Sequence, residues 1–294
     1  MQIIRLGFLA LAGMISLAAC SENGDQSATP KTQEQVKEIA AEGPDSYLKE
    51  SISALRNNDI STVFKMMMPE TEYQKAVSEW DTKREQPVST KDAANFAAQM
   101  EKLTADGAED ALFAEASMML DQMAPQIPMF IGMGTMSLQA SVDQTEFDTD
   151  EEKQRAKKLI TAMGEWAGKA NFTDKDKAKK AIAILCSTAR NLNMSTVEEF
   201  NTLTFDQALV KAGSAFGGLK NILGVYDLSV DQMLDSVKID MLENDNDKAK
   251  MDIGFNVFGT QQNVIADVIR VDDRWFSADA IEKMNEASDQ GNAE

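Results

Sequence analysis

The chain has 294 residues, a formal net charge of −19, two Cys and no His. Without imidazole, catalytic triads, general bases and metal sites that depend on His are excluded. The negative charge argues against nucleic acid, whose phosphates attract Lys and Arg. A hydrophobic content of 43% and a charged content of 26% are typical of a globular protein with a packed core.

The first 19 residues have the pattern of a secretory signal peptide. Arg5 precedes the apolar run LGFLALAGMISL at 6–17, which is followed by small residues. The run is shorter than the roughly 20 apolar residues that span a membrane. A signal anchor that stays attached to the chain is the alternative interpretation.

The residues Leu17, Ala18, Ala19 and Cys20 resemble the lipobox of bacterial lipoproteins. The resemblance implies cleavage before Cys20, followed by acylation of its sulfur and of its new amino group. Several acyl chains give a stable membrane anchor. By resemblance to enterobacterial sorting, Ser21 favours the outer membrane, so we expect a periplasm-facing protein in a Gram-negative cell envelope. Ordinary cleavage near Ala18 and Ala19 is the alternative.

A polar segment separates the lipidated Cys from the rest of the chain. Residues 20–43 predict a flexible tether, with Thr32 and Gln35 as a capping box for a short helix within it. After lipidation Cys186 is the one remaining thiol, so no intramolecular disulfide forms. Cys186 lies in the apolar helical run AIAILCSTA and is expected to be a core residue, since a catalytic thiolate would lack a His partner.

Residues 44–228 show a helical period almost throughout. One predicted helix covers 149–168, with an apolar stripe on one face and a capping box of Thr149 and Glu152 at its start. Further capping boxes are expected at Ser195/Glu198 and at Thr204/Gln207. Gly213 and Gly217 lie four residues apart in the helix that follows the last box, and this spacing predicts close helix packing.

The period changes to two in the last part of the chain, 229–294. Apolar residues alternate in the runs 237–241, 249–257 and 264–268, which predict an antiparallel meander of three strands. A fourth strand at 274–276 is expected if it pairs back through Asp272 and Asp273, and a short helix at 279–287 closes the chain. The predicted fold class is therefore α+β, with the sheet packed on the helical region as one body and with two lobes as the alternative.

Methionine is abundant, with 18 in the chain, and Met129, Met133 and Met136 are spaced to share a helix face. Thioether sulfurs suit Cu(I), so these three are weak candidates for a metal site. A methionine stripe at helical spacing is more often core. A third interpretation is that the Met-rich helices line a cavity for a hydrophobic ligand.

Charge is distributed unevenly along the chain. Residues 150–190 carry ten basic and six acidic side chains, a net of +4, between two acidic stretches. This block could face an anionic polymer or lipid headgroups, or it could form solvated helix faces and pair with acidic parts of the same body. The acidic remainder would steer a basic partner towards the protein.

Three segments carry a wider resemblance. They are ALRNND at 54–59 followed by Met68, Pro69, Tyr73 and Trp80, FGGLK at 216–220 followed by Val225 and Tyr226, and VDDRWF at 271–276. These segments are similar to parts of exported lipoproteins of Gram-negative bacteria of the xanthomonad type. The last segment also resembles the closing hairpin of many small periplasmic α+β domains. The resemblance implies no activity, catalytic residue or ligand.

The leading functional interpretation is a membrane-anchored, non-enzymatic binding or scaffold module, with no cofactor and with an envelope protein as partner. A narrower version is an inhibitor or immunity protein that blocks a basic cell-wall hydrolase. One alternative is a hydrolase of cell-wall glycan that uses paired carboxylates, which sequence spacing does not locate. Another is a carrier of lipid or of a hydrophobic ligand. A large apolar surface would favour the binding module, and a deep polar cleft would favour the enzyme.

Overall fold

The computed structural model describes residues 30–36, 43–145, 147 and 149–291. A helical body is followed by a four-stranded antiparallel sheet and a terminal helix, which confirms the α+β prediction. The helices are α1 (Pro44–Arg56), α2 (Ile60–Met67), α3 (Glu70–Arg84), α4 (Thr90–Thr104), α5 (Ala108–Met123), α6 (Ile127–Gln144), α7 (Asp150–Lys169), α8 (Lys175–Leu192), α9 (Val197–Asn201), α10 (Phe205–Val225), α11 (Val230–Asp235) and α12 (Ala278–Gly291).

Side-chain caps set the starts of several helices. The Thr149 hydroxyl accepts a hydrogen bond from the Glu152 N–H at 3.2 Å, and Thr204 forms the expected reciprocal box with Gln207 at the start of α10. The box at α9 lies one residue later than predicted, on Thr196 and Glu199. The sequence offers Ser and Thr side by side there, and the Glu199 carboxylate also accepts from the backbone N–H groups before the helix.

The sheet has the order β1-β2-β3-β4, and all neighbouring strands are antiparallel. Its strands are β1 (Lys238–Asn244), β2 (Lys248–Val257), β3 (Thr260–Val271) and β4 (Arg274–Ser277). Asp272 and Asp273, between β3 and β4, both have positive φ, at 48° and 61°. Two such residues form the two-residue primed turn that suits a hairpin, so the fourth strand pairs back as expected.

Two hydrophobic clusters build the core, and α2 contributes to both. Met66 of α2 packs with Tyr47 of α1 and with the inward face of the sheet, where Met251 is fully buried. Ile60 of α2 packs with Tyr73, Phe205 and their neighbours on α3 and α10. α2 is therefore one of the helices through which the sheet and the helical body meet.

Two of the four glycines of α10, Gly213 and Gly217, accommodate a loop instead of a helix. A Cβ on Gly213 would lie 2.2 Å from the backbone oxygen of Asn58, and one on Gly217 would lie 2.8 Å from the Asn58 side-chain nitrogen. Asn58 occupies the turn between α1 and α2 and has a φ of 58°. The predicted close packing is present, but its partner is this turn.

Residues 30–36 pack against the body, although the sequence predicts a flexible tether there. Val36 is fully buried in the cluster under the sheet. The Lys31 N–H donates to the Thr62 hydroxyl at 3.0 Å, and the Lys31 ammonium pairs with Glu50 at 2.7 Å. The predicted box of Thr32 and Gln35 forms at the start of a helical turn in this segment.

Candidate functional site

The most distinctive surface in the described part of the chain is apolar and rich in methionine. Eight of the fifteen large apolar side chains that are exposed there lie on α5 and α6. We call them the Met-rich surface: Met118, Met119, Met123, Met129, Phe130, Met133, Met136 and Leu138. Each of the two helices thus presents several exposed apolar side chains, and exposed apolar surface of this kind marks interaction sites.

The surface is exposed because α6 packs chiefly against one neighbour, α7. The inward stripe of α6 is built from Ile127, Ile131, Thr135 and Gln139, which lie four residues apart and are partly buried. At the contact, Gly164 of α7 makes room for Thr135, whose hydroxyl lies 2.6 Å from the position that a Cβ on Gly164 would take. The remaining faces of α6 are left to solvent.

The three methionines proposed as weak metal candidates lie on the outer side of α6. Met129, Met133 and Met136 are 54%, 61% and 71% exposed. They therefore do not form core, which was the more common interpretation of such a stripe. No cluster of three or more His, Cys, Asp or Glu side chains suited to a metal ion occurs in the described ranges.

An aromatic cluster attaches α7 to the body. The indole N–H of Trp166 donates to the Tyr226 carbonyl at 2.9 Å, just after α10. The Trp166 ring lies 5.8 Å from Phe172 and 5.5 Å from Phe258, measured between ring centroids. Phe258 belongs to the turn between β2 and β3 and has a φ of 50°. The pair α6–α7 is thus held at the end of α7 that carries Trp166.

An open apolar groove of about 250 Å³ adjoins the Met-rich surface. It lies between the turn that joins α5 to α6 and the turn that joins α7 to α8. Its apolar lining includes Ala124, Ile127, Ile131 and Phe172. Ala124 and Pro128 of the lining are the chain neighbours of Met123 and Met129, so the groove lies next to the Met-rich surface along the chain.

Carboxylates on α5 and α6 pair with the basic block predicted from the sequence. The pairs are Arg190–Glu109 at 2.5 Å, Lys175–Asp121 at 2.8 Å, Lys157–Asp143 at 2.7 Å and Lys153–Asp143 at 3.1 Å. Hydrogen bonds from Arg190 lower the pKa of Glu109 to about 2, and those from Lys157 and Lys153 lower the pKa of Asp143. Part of the basic block is thus engaged inside the same body, as one sequence interpretation expected.

A partly buried polar cluster lies where residues 30–36 meet α2 and α10. Asp206 Oδ1 accepts from the Tyr73 hydroxyl at 2.7 Å, from the Lys65 ammonium at 2.8 Å and from the Ser61 hydroxyl at 3.2 Å. Lys65 also donates to the Lys31 carbonyl at 3.3 Å. Sequence reasoning missed this cluster, because its members are separated by up to 175 residues along the chain.

Hydrogen bonds within this cluster shift the pKa values of Asp206 and Tyr73. Burial alone would raise the pKa of Asp206, but the hydrogen bonds from Lys65 and Tyr73 outweigh it, so the pKa lies below its usual value. Burial and the Asp206 carboxylate raise the pKa of the Tyr73 phenol. Because the Ser61 hydroxyl and the Lys65 ammonium both donate to Asp206, they do not form a nucleophile–base pair. The cluster holds the segment 30–36 in place.

Cys186 is fully buried in α8, as the sequence predicts for a core residue. Burial raises the pKa of its thiol, the opposite of what a reactive thiolate needs. The lipobox residues Leu17, Ala18, Ala19 and Cys20 lie outside the described residues. Within the described residues, no helix is long and apolar enough to cross a bilayer.

Comparison with models of known protein families, with curated proteins and with solved structures finds no match to this chain.

Proposed function

We propose that this protein is a lipid-anchored, non-enzymatic binding module of the Gram-negative cell envelope. It is attached through Cys20, faces the periplasm at the outer membrane, and binds an envelope protein through the Met-rich surface. The observation that carries this proposal is the exposure of eight large apolar side chains on two consecutive helices.

Methionine suits such a surface for a physical reason. Its unbranched thioether side chain adapts to differently shaped partners, and Met-rich surfaces are used by proteins that bind several targets. Six of the eight side chains in the surface are methionine. Covering them would remove apolar area from water, at roughly 25 cal/mol for each Å² buried.

The anchor and the packed segment 30–36 together limit where the partner can be. Only nine residues lie between Cys20 and Pro30, which already contacts the body beside Lys65 and Asp206. The ten steps from one Cα to the next over this stretch span at most about 35 Å. With Cys20 acylated, the body works close to the bilayer, so the partner is a membrane protein or another protein held near the membrane. The net charge of −19 favours a partner with a basic surface.

The alternative functions have weaker physical support. A carboxylate-dependent hydrolase needs a general acid whose pKa is raised, whereas the pKa is lowered in Asp45, Glu109, Asp143, Asp174 and Asp206. A carrier of hydrophobic ligands would use methionines as a cavity lining. Met118, Met119, Met133 and Met136 face solvent instead.

Site-specific photo-crosslinking in intact cells tests this proposal. A photoreactive amino acid replaces Met119 in the full-length anchored chain, and the matched control carries it at Leu242, an exposed apolar residue of β1. We expect an adduct with one envelope protein from position 119 that is absent from position 242. The adduct should disappear when Met118→Asp is added, because a charge in the contact is costly to bury. Equal adducts from both positions, or none from 119, would contradict the proposal.

A further inference from the structure

The outer side of α6 carries a stripe formed by Met129, Met133, Met136 and Ala140, all of which are exposed. We propose that this outer stripe packs against the same stripe of a second copy of the chain, in an antiparallel contact between the two α6 helices. The inference rests on the proposed function, since it treats the Met-rich surface as a protein-binding surface. The second copy would cover the α6 part of the Met-rich surface, and α5 and the groove would remain available to the envelope partner.

The spacing of the outer stripe is symmetric. Its members are separated by four, three and four residues, which keeps them on one face of a helix and matches the seam of a coiled coil. The centre of the pattern lies between Gly134 and Thr135. A twofold axis at this point sets Met133 against Met136 of the second copy and Met129 against Ala140 of the second copy. Long side chains then face either each other or a small one, so the two copies interdigitate.

Charge favours a second copy over other occupants of the outer stripe. Residues 122–142 contain no charged side chain, so two acidic molecules can approach here without placing like charges in contact. Residues 103–152 contain no Lys or Arg. Interfacial membrane helices carry basic residues on their polar face, and α6 has none to offer. A basic helix as partner would find no carboxylate within the stripe.

The area is sufficient for a weak dimer that the anchor strengthens. Phe130 borders the stripe and is also exposed, at 47%. With it, the contact would bury on the order of 1,000 Å² in total, near the lower limit for specific interfaces. Two copies attached to the same membrane are confined to a thin layer, and this raises their effective concentration. The dimer therefore forms on the membrane more readily than in dilute solution.

Disulfide trapping between two differently tagged full-length chains tests the geometry. One chain carries Met133→Cys and the other Met136→Cys, and both are expressed together and oxidised in intact cells. We expect the mixed dimer to exceed either self-crosslinked dimer several-fold, because the antiparallel contact faces 133 with 136. The wild-type chain, with Cys186 buried, controls for its native thiols, and Met67→Cys on α2 controls for random collision.

One further variant and a membrane probe decide the remaining outcomes. Adding Met129→Asp to both chains should abolish the mixed dimer while leaving the thermal unfolding curve unchanged, since Met129 is exposed in the single copy. A predominance of self-crosslinked dimers would overturn the antiparallel contact. Absence of all dimers, or labelling of the Met133→Cys variant by a bilayer-restricted photoreagent, would overturn the second copy as occupant. If the dimers are absent, crosslinks from position 119 to another protein would still support the proposed function. If neither the dimers nor those crosslinks appear, both proposals are contradicted.

Discussion

Individual residues show how tightly the helical body is fitted together. Gly213 is required by a backbone contact, because the carbonyl of Asn58 occupies the space that a Cβ would need. Gly224, three turns further along α10, has no atom within 4 Å of its missing Cβ. The sequence could indicate a close approach at Gly213, but the identity of the approaching loop required the fold.

Replacing Gly213 with Ala should therefore destabilise the protein. A Cβ at 2.2 Å from a backbone oxygen forces the α1–α2 turn to move, and we expect a loss of about 2 kcal/mol or more, as for overpacked sites. Gly224→Ala is the matched control and should be neutral or stabilising by up to about 1 kcal/mol, because Ala favours the helix. Urea unfolding of both variants measures the difference. Equal effects would contradict the packing described here.

The ion pair between Glu109 and Arg190 predicts a pH dependence. In the folded protein the pKa of Glu109 is lowered from an ordinary 4.5 to about 2, chiefly by hydrogen bonds from Arg190. A lowered pKa stabilises the fold above about pH 4.5, and this contribution is lost as the pH falls towards 2.

Glu109→Gln should therefore flatten the loss of stability between pH 5 and about pH 3 relative to the wild type. The control is Asp110→Asn, which alters an exposed carboxylate on the same helix. The urea midpoint at each pH is the readout. A Glu109→Gln variant that loses stability as steeply as the wild type would show that the pair has no such role.

At the scale of elements, the cluster around Asp206 ties three parts of the chain together. Lys65 of α2 is buried, and its ammonium contacts both Asp206 at the start of α10 and the carbonyl of Lys31. A buried ammonium that loses its carboxylate is costly. The contact therefore explains why residues 30–36 are packed although their composition is that of a tether.

Removing the carboxylate should loosen this junction. We expect Asp206→Ala to cost about 1–3 kcal/mol, the range for leaving a buried polar group without its partner. The double variant Asp206→Ala/Lys65→Met removes both charges and should recover part of the loss. Hydrogen exchange at 31–36 should accelerate in the single variant. The loss in free energy of unfolding is compared with the sum of the losses in Asp206→Ala and in Lys65→Met. If the double variant loses as much as that sum, Lys65 and Asp206 are not coupled.

The elements themselves were largely predictable, because alternation and capping are local signals. The strands, the helical period and the box of Thr204 with Gln207 all follow from neighbouring residues. The outward position of Met133 was not predictable. An apolar helix stripe has the same pattern whether its own chain or another molecule covers it. The Asp206 cluster also required the fold, since it joins residues that are distant in sequence.

At the scale of the whole molecule, the proposed anchor predicts a simple change in location. Cys20→Ala removes the sulfur that accepts the lipid, so metabolic labelling with a fatty acid should be lost. The variant's membrane attachment should no longer depend on acylation, and its precursor should keep the signal peptide. Ser21→Asp leaves the acylated residue in place and serves as the control. It should retain the label while changing which of the two membranes holds the protein. Persistent acylation of the Cys20→Ala variant would contradict the lipobox assignment.

Oxidation of methionine shows whether another protein covers the Met-rich surface in the envelope, as we propose. Exposed thioethers convert to sulfoxides, so mild peroxide treatment of the dilute purified chain should oxidise Met118, Met119, Met133 and Met136. In intact cells we predict several-fold protection at these positions. Met67 and Met241, which are exposed on α2 and β1, should oxidise equally in both states. Equal oxidation of the Met-rich surface in cells and in the purified chain would show that no partner covers it.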